Sequence, residues 1–399
     1  MTAAGGASWL VTPVGASPQF TGADFTEDDV LYAKAAEDFV RGEVLPRLEE
    51  IEAKQEGLMP ALLRRAGELG LLMIDVPARY GGLGLRKTTS MLVSERGALS
   101  GSFSVSWGAH TGIGTLPIVY YGTEAQKERY LPRLASGEWL AAYALTEPGS
   151  GSDALGAKTR AVPQPGGGYR LSGTKLFVPD AHTADFLIVA ARAPGSAGSA
   201  GLSLLLVDAA DAGVRATPLR TMDQTRKLCE VELRDVTVPR SRVLGEPGQG
   251  AAILERVATR ARTGLAAEMC GGAARVLDLS VEYAKVREQF GRPIGSFQAI
   301  QHKCATMLVE VESARSATYY AAWAVGSDAP DATLAAAMAK AYGSEAFRHV
   351  AAEGIQIHGG IGFTWEHDMH VYFKRAKSSE ISFGDAAWNR EIVASLIGL

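Results

Sequence analysis

Along this chain the spacing of apolar positions changes twice. From Thr26 to about Leu140 it follows the helix. Thr26-Glu27-Asp28-Asp29 supplies a capping hydroxyl and acidic first-turn residues, and Tyr32, Ala36, Phe39 and Val40 then recur on one face. Pro60 to Leu71 repeats the pattern, and Arg79-Tyr80-Gly81-Gly82-Leu83-Gly84 marks a turn. From about Ala142 to Gly250 the runs are short and either alternating or wholly apolar. Tyr169 to Gly173, Phe186 to Ala191, Leu202 to Val207 and Val231 to Val238 read as strands separated by Gly, Pro, Asp and Ser clusters. Pro239 closes the last of them, because proline has no N–H for the ladder. From Ala251 onward the pattern is helical again and rich in alanine. Val276, Leu279, Tyr283 and Val286 share a face, and long segments run to Val325 and from Ala332 to Ala352 with short loops between them.

Helices, then strands, then helices predict an α+β fold rather than βαβ alternation. The boundaries follow: an N-terminal extension over 1–25, an N-terminal α-helical domain over 26–141, a middle antiparallel β domain over 142–250 and a C-terminal helix bundle over 251–399. A length of 399 residues agrees with several packed subdomains. A formal net charge of -4 speaks against the basic face of a nucleic-acid binder. No run approaches the roughly 20 apolar residues of a membrane span. Met1 to Pro18 lacks a basic segment followed by an apolar one, so no signal peptide is expected. Cys229, Cys270 and Cys304 are odd in number and widely spaced, which fits a reducing cytoplasm better than a disulfide framework. With neither CxxC nor HExxH present, no metal site is expected.

The densest chemistry lies in Ala144-Leu145-Thr146-Glu147-Pro148-Gly149-Ser150-Gly151-Ser152-Asp153-Ala154. Its glycines let a ligand approach the backbone, while Thr146, Ser150 and Ser152 bring hydroxyls suited to a phosphate or a flavin edge. A surface turn between two domains would look the same, and the residues alone leave both readings open. No GxGxxG completes, since Gly360-Ile361-Gly362 is followed by Phe363, Thr364 and Trp365; a Rossmann site is not expected.

The stretch Thr146 to Ala154 resembles the first signature of acyl-CoA dehydrogenases. Gln356-Ile357-His358-Gly359-Gly360-Ile361-Gly362-Phe363 resembles the second, and Arg287-Glu288-Gln289-Phe290-Gly291 a third element, in the family's order and spacing. The likeness spans roughly Phe25 to the C-terminus. It implies N-terminal helices, a middle β domain and a C-terminal four-helix bundle, with FAD between the last two. Thr146, Gly151, Ser152, Phe177 and Val178 would hold the flavin. Arg287 and Phe290 would contact the pyrophosphate and adenine of a flavin in a neighbouring subunit, with Gln356, Gly359 and Gly360 lining the same region. The simpler readings are an exposed helix-end charge for Arg287 and a helix C-cap for Gly359-Gly360. The resemblance further implies a dimer or tetramer, homomeric or heteromeric, an acyl-CoA substrate, and an electron-transferring flavoprotein as acceptor.

Two departures from the family stand out. Its chemistry needs a carboxylate to take the α proton of the thioester while hydride leaves the β carbon, with hydrogen bonds stabilising the developing enolate. Where the family places that glutamate, before a glycine after the second signature, this chain has Phe383 in Ile381-Ser382-Phe383-Gly384-Asp385. The alternative position, before an arginine in the first bundle helix, is Ala261, followed by a matching Arg262. Phe383 keeps a backbone N–H as an oxyanion donor but cannot accept a proton. Asp385, whose family counterpart touches flavin, is the preferred substitute, with helix capping as its plainer role. Glu268 lies two turns beyond Ala261, roughly 10 Å along the helix, and reads more simply as a satisfied interface charge. Glu380 would serve only if an insertion shifts the loop. In the β domain, Phe177-Val178-Pro179 replaces Trp-Ile-Ser/Thr, so Pro179 offers flavin neither hydroxyl nor N–H; in the second signature, Val371 also replaces a basic residue. His367 and His370 read as polar surface or interface histidines, and Tyr319-Tyr320 as bundle packing. The expected function is FAD-dependent α,β-dehydrogenation of an acyl-CoA with an unorthodox or absent base. The alternatives are a non-catalytic FAD- or acyl-CoA-binding partner subunit, and a flavin-dependent oxidation of a non-thioester substrate.

Overall fold

The computed structural model describes residues 20–399, so the expected N-terminal extension lies outside the described residues as far as residue 19. The chain packs as two units: a helical one of residues to Leu45, Lys87–Ser104 and Thr259–Leu399, and a sheet-bearing one of Pro46–Arg86 and Val105–Ala258. The helices expected to form one N-terminal domain contribute to both.

The sheet-bearing unit holds β1 (Ala141–Ala144), β2 (Arg160–Pro163), β3 (Tyr169–Pro179), β4 (Phe186–Arg192), β5 (Leu202–Asp208), β6 (Val214–Pro218), β7 (Leu228–Val238) and β8 (Val243–Leu244). They form one sheet in the order β6-β7-β3-β2-β4-β5-β8, with β1 beside β4. Most pairs are antiparallel, but β1 runs parallel to β4 and β2 meets β4 in a parallel bridge at Arg160 and Arg192, so the sheet is mixed. Strands β4 and β5 read as continuous apolar runs because both faces are covered. Phe186, Ile188 and Ala190 of β4 with Leu202, Leu204 and Leu206 of β5 pack on Tyr130, Leu131 and Leu134 of the helix Glu124–Ser136. The alternate residues Leu187, Val189, Leu205 and Val207 join Val231, Leu233 and Val236 of β7 on the other face. Between Lys175 and Val178, β3 carries one residue more than β7, and Phe177 sits in that bulge.

In the helical unit, α1 (Glu27–Phe39) opens with the capping box expected at Thr26. The Thr26 hydroxyl accepts from the Asp29 N–H at 3.3 Å, and the Asp29 carboxylate accepts from the Thr26 N–H at 2.8 Å. A single core is shared by α2 (Gly250–Val286, from Thr259 onward), α3 (Gln298–Gly326), α4 (Ala332–His358) and α5 (Met369–Ile381). These are the four helices of the bundle. Gly271 and Gly272 sit mid-helix at a cost of about 1 kcal/mol each relative to alanine. Close packing accounts for them: a Cβ at Gly271 would collide with the Glu95 carbonyl, and one at Gly272 with the Phe347 ring. Among the described residues no helix is long and apolar enough to cross a membrane.

Candidate functional site

In the sheet-bearing unit the loop after β1 is fastened to β3 by a buried ion pair. The Lys175 ammonium, fully buried, donates to the Glu147 carboxylate at 2.7 Å and to the Leu145 carbonyl at 3.1 Å. Glu147 also accepts from the backbone N–H groups of Lys158 at 2.6 Å and Thr159 at 2.9 Å. Burial works to raise this carboxyl, but the Lys175 charge and the donated hydrogen bonds outweigh it and hold the group below its ordinary value. Burial lowers the Lys175 ammonium despite Glu147. Thr146 lies between the two anchored residues, and its carbonyl accepts from the Leu176 N–H at 2.8 Å. Its hydroxyl has no partner among the described residues. The bulge turns Phe177 outward, 51% exposed at φ 54. Val178 points into the core, where it is buried with Cys229 and Val231. Added Cβ atoms at Gly149 and Gly151 meet nothing within 4 Å, so the loop is open beside Ser152.

In the helical unit the turn Ser382 to Asp385 joins α5 to α6 (Ala386–Ile397). Phe383 stands at φ 57, and its N–H has no partner among the described residues. Its carbonyl accepts from the Arg262 Nε at 3.4 Å, so these two expected residues do meet. The candidate bases are all engaged, though unequally. Asp385 caps α6, one carboxylate oxygen accepting from the Trp388 N–H at 2.8 Å; the other oxygen has no partner among the described residues, and the side chain is exposed. Glu268, half-buried, accepts from buried Arg375 at 2.8 Å within the bundle. Glu380 accepts from Lys377 at 2.8 Å and lies 3.6 Å from Arg348. Ala261 is half-buried on α2, beside Arg262.

The Arg287 element forms a small hairpin, Glu288–Gln289 against Arg292–Pro293. Phe290 at φ 54 and Gly291 at φ 74 supply its two central residues, the left-handed pair of a type I′ turn. Phe290 is 93% exposed, and Arg287 is exposed at the start of the hairpin. Gly359 is the C-cap of α4, as its simpler reading had it, and exposed Gln356 lies one turn before it. Cβ atoms at Gly359 and Gly360 would meet nothing within 4 Å. The His367 Nδ1 accepts from the Met369 N–H at 3.1 Å, and His370 packs edge-on against Trp365. Tyr319 donates to Glu95 at 2.8 Å and Tyr320 to Asp331 at 2.6 Å, both within the helical unit.

Seven non-glycine residues among those described have positive φ, and three are Phe177, Phe290 and Phe383. A bulky side chain there is strained, and such strain gathers where function over-determines the backbone.

Three family models cover the chain in succession: the acyl-CoA dehydrogenase N-terminal domain over residues 26–138, the middle domain over 142–236 and the C-terminal domain over 248–397. The chain belongs to the acyl-CoA dehydrogenase family. A probable acyl-CoA dehydrogenase of Bacillus subtilis is 38% identical over 98% of this chain and 68% of its own length. An acyl-CoA dehydrogenase of the same organism is 35% identical over 93% of this chain and 98% of its own. The crystal structure of an acyl-CoA dehydrogenase complexed with FAD from Bacillus anthracis superposes with a TM-score of 0.93 at 38% identity, covering 98% of this chain and 70% of that one. Acyl-CoA dehydrogenases are flavoprotein oxidoreductases acting on CH–CH bonds, and FAD is their cofactor. The residues present fit that group: the first signature keeps open glycine backbone and an unpartnered Thr146 hydroxyl, and is bonded to β3 one residue before exposed Phe177, while the second keeps open Gly359 and Gly360 before exposed Phe363. The exception is Pro179, which has no N–H to give.

Lys175, Lys340 and Asn389 were missed by the sequence reading. The available signal was a lone polar residue in apolar surroundings: Lys340 lies within Ala335-Ala336-Ala337-Met338-Ala339-Lys340-Ala341, where a surface lysine reads the same way.

Proposed function

We propose that this acyl-CoA dehydrogenase homologue oxidises an acyl-CoA thioester with Asp385, rather than residue 383, as proton acceptor. The observation that carries the reading is the turn itself. It keeps an unpaired Phe383 N–H, and two residues on it leaves a carboxylate oxygen open at Asp385. Thr146, Gly151, Ser152 and Phe177 would hold the flavin ring, with Val178 contributing only backbone. Arg287, Phe290, Gln356, Gly359 and Gly360 would serve the dinucleotide half of a flavin in a neighbouring subunit. Bound FAD supplies the acceptor for the hydride leaving the β carbon. The Phe383 N–H would donate to the thioester oxygen as negative charge gathers there, and Arg262 would steady its carbonyl. Asp385 would take the α proton onto its open oxygen. Exposed Phe290, Phe363, Trp365 and Val286 on the helical unit support a dimer or tetramer. A cytoplasmic setting, with an electron-transferring flavoprotein as acceptor, suits the three free cysteines and the family chemistry.

A second reading is favoured by the fate of the other carboxylates. Glu268 and Glu380 are both tied to cations, which supports a base-less partner subunit completing the site of another chain. Anaerobic bleaching of the bound flavin by acyl-CoAs of graded length separates the two. Asp385→Asn keeps a capping oxygen but no proton acceptor. A general base is worth about 100- to 10,000-fold, so bleaching should slow at least about 100-fold with FAD still bound. Wild-type speed in this variant removes Asp385 from the chemistry. A yellow wild-type protein bleached by no acyl-CoA supports the partner reading.

A further inference from the structure

The turn that presents Phe383 is held by side chains that no signature contains. The Lys340 ammonium is fully buried and donates three hydrogen bonds: to the Ser344 hydroxyl at 2.8 Å, the Glu380 carbonyl at 2.9 Å and the Gly384 carbonyl at 3.0 Å. When the group is protonated, three donors meet three acceptors, the full capacity of an ammonium. Asn389, also fully buried, donates to the carbonyls of Gly384 and Asp385, both at 2.9 Å. Gly384 stands at φ 87, and a Cβ there would collide with the Trp388 ring. Apart from the Ser344 hydroxyl, these donors all meet backbone carbonyls from Glu380 to Asp385; the Phe383 N–H between them has no partner among the described residues. Ordinary helix termination would need only the carbonyls at the end of α5 to be satisfied. Here the donors also fix the next residues, with a phenylalanine strained between them.

We infer that Lys340 and Asn389 are positioning residues that lock the Ser382–Asp385 turn so that the Phe383 N–H stays free to receive a carbonyl oxygen. The inference rests on the thioester reading above. It assigns Lys340 no contact with substrate. Its work is to hold the carbonyl of Glu380 at the end of α5 and that of Gly384 in the turn, so that the Phe383 N–H between them does not rotate into a bond with the protein. The ligand consequence is specific: affinity should depend on the thioester oxygen, and that dependence should belong to Lys340.

The test compares butyryl-CoA with butyl-CoA, the thioether that lacks the carbonyl, by anaerobic calorimetry on the FAD-loaded protein with its flavin reduced beforehand, so that both ligands bind and neither is oxidised. One hydrogen bond to a neutral acceptor corresponds to a preference of up to about tenfold. Wild type should prefer the thioester by several-fold. Lys340→Met should bring the two affinities within about twofold while thioether affinity and FAD content stay near wild type. In a folded, FAD-loaded variant, an equal fall in both affinities with the preference retained would overturn the positioning role of Lys340. Asn389→Leu, which removes the second clamp and keeps the volume, should also abolish the preference, and serves if Lys340→Met fails to fold. Wild type binding both ligands alike overturns the thioester reading and the inference with it. A preference that survives in both variants overturns the inference alone.

Discussion

Lys175→Met probes the buried pair on which the geometry of the first signature depends. The substitution keeps most of the side-chain volume and removes the ammonium. Glu147, buried beside it, would keep two backbone donors and lose its counter-charge, and the Leu145 carbonyl would lose its 3.1 Å partner. Removing one member of a buried pair costs about 3–5 kcal/mol, because the remaining charge is left uncompensated. For a unit of this size each kcal/mol shifts the melting temperature by about 2–4 °C, so a fall of roughly 6–20 °C is expected. Near-ultraviolet circular dichroism would follow the melting, and ultrafiltration would measure FAD retention. Thr146 lies between the two anchors and Phe177 lies two residues beyond Lys175, so FAD affinity should fall along with stability. Adding Glu147→Gln should recover part of the loss, since a neutral amide leaves no unpaired charge and its one oxygen still accepts from one of the two backbone N–H groups. A fall below about 2 °C, or a double variant worse than the single one, would refute the assigned role.

Two further outcomes are expected. Phe383→Glu restores a carboxylate beside a retained N–H and should create or increase bleaching by acyl-CoAs; no gain with FAD still bound would show that the pocket no longer suits a thioester. Lys340 should make stability depend on pH. Burial, the largest influence, lowers its ammonium from the ordinary 10.5 to about 7; Glu380 and Asp385 oppose this and Arg262 adds to it. The unfolded chain therefore binds more protons between those two values, and stability rises with pH across that window, by roughly 4–5 kcal/mol at full extent. The melting temperature of wild type relative to Lys340→Met should climb from pH 7 to pH 9, and a flat difference would refute the shift.

The linear pattern of the chain determined a good deal. Period and turn residues marked four of the eight strands of the main sheet, the long bundle helices and the Thr26 cap, because each depends on neighbours a few residues away. The three signatures placed the chain in its family for the same reason: their residue types act locally, as open glycines, hydroxyls and a tight hairpin. What remained undetermined was decided by partners distant in sequence. That β1 would run parallel to β4 depended on a contact more than forty residues away. The phenyl ring of Phe177 turns outward only because β3 gains a residue against β7. Glu268 could be a base or a tied charge, and Arg375, 107 residues on, makes it the second. Lysines at 175 and 340 look like surface residues in sequence. Folding buries both and supplies acceptors from other segments, and that turns two ordinary charges into fasteners for the loops where the chemistry is expected.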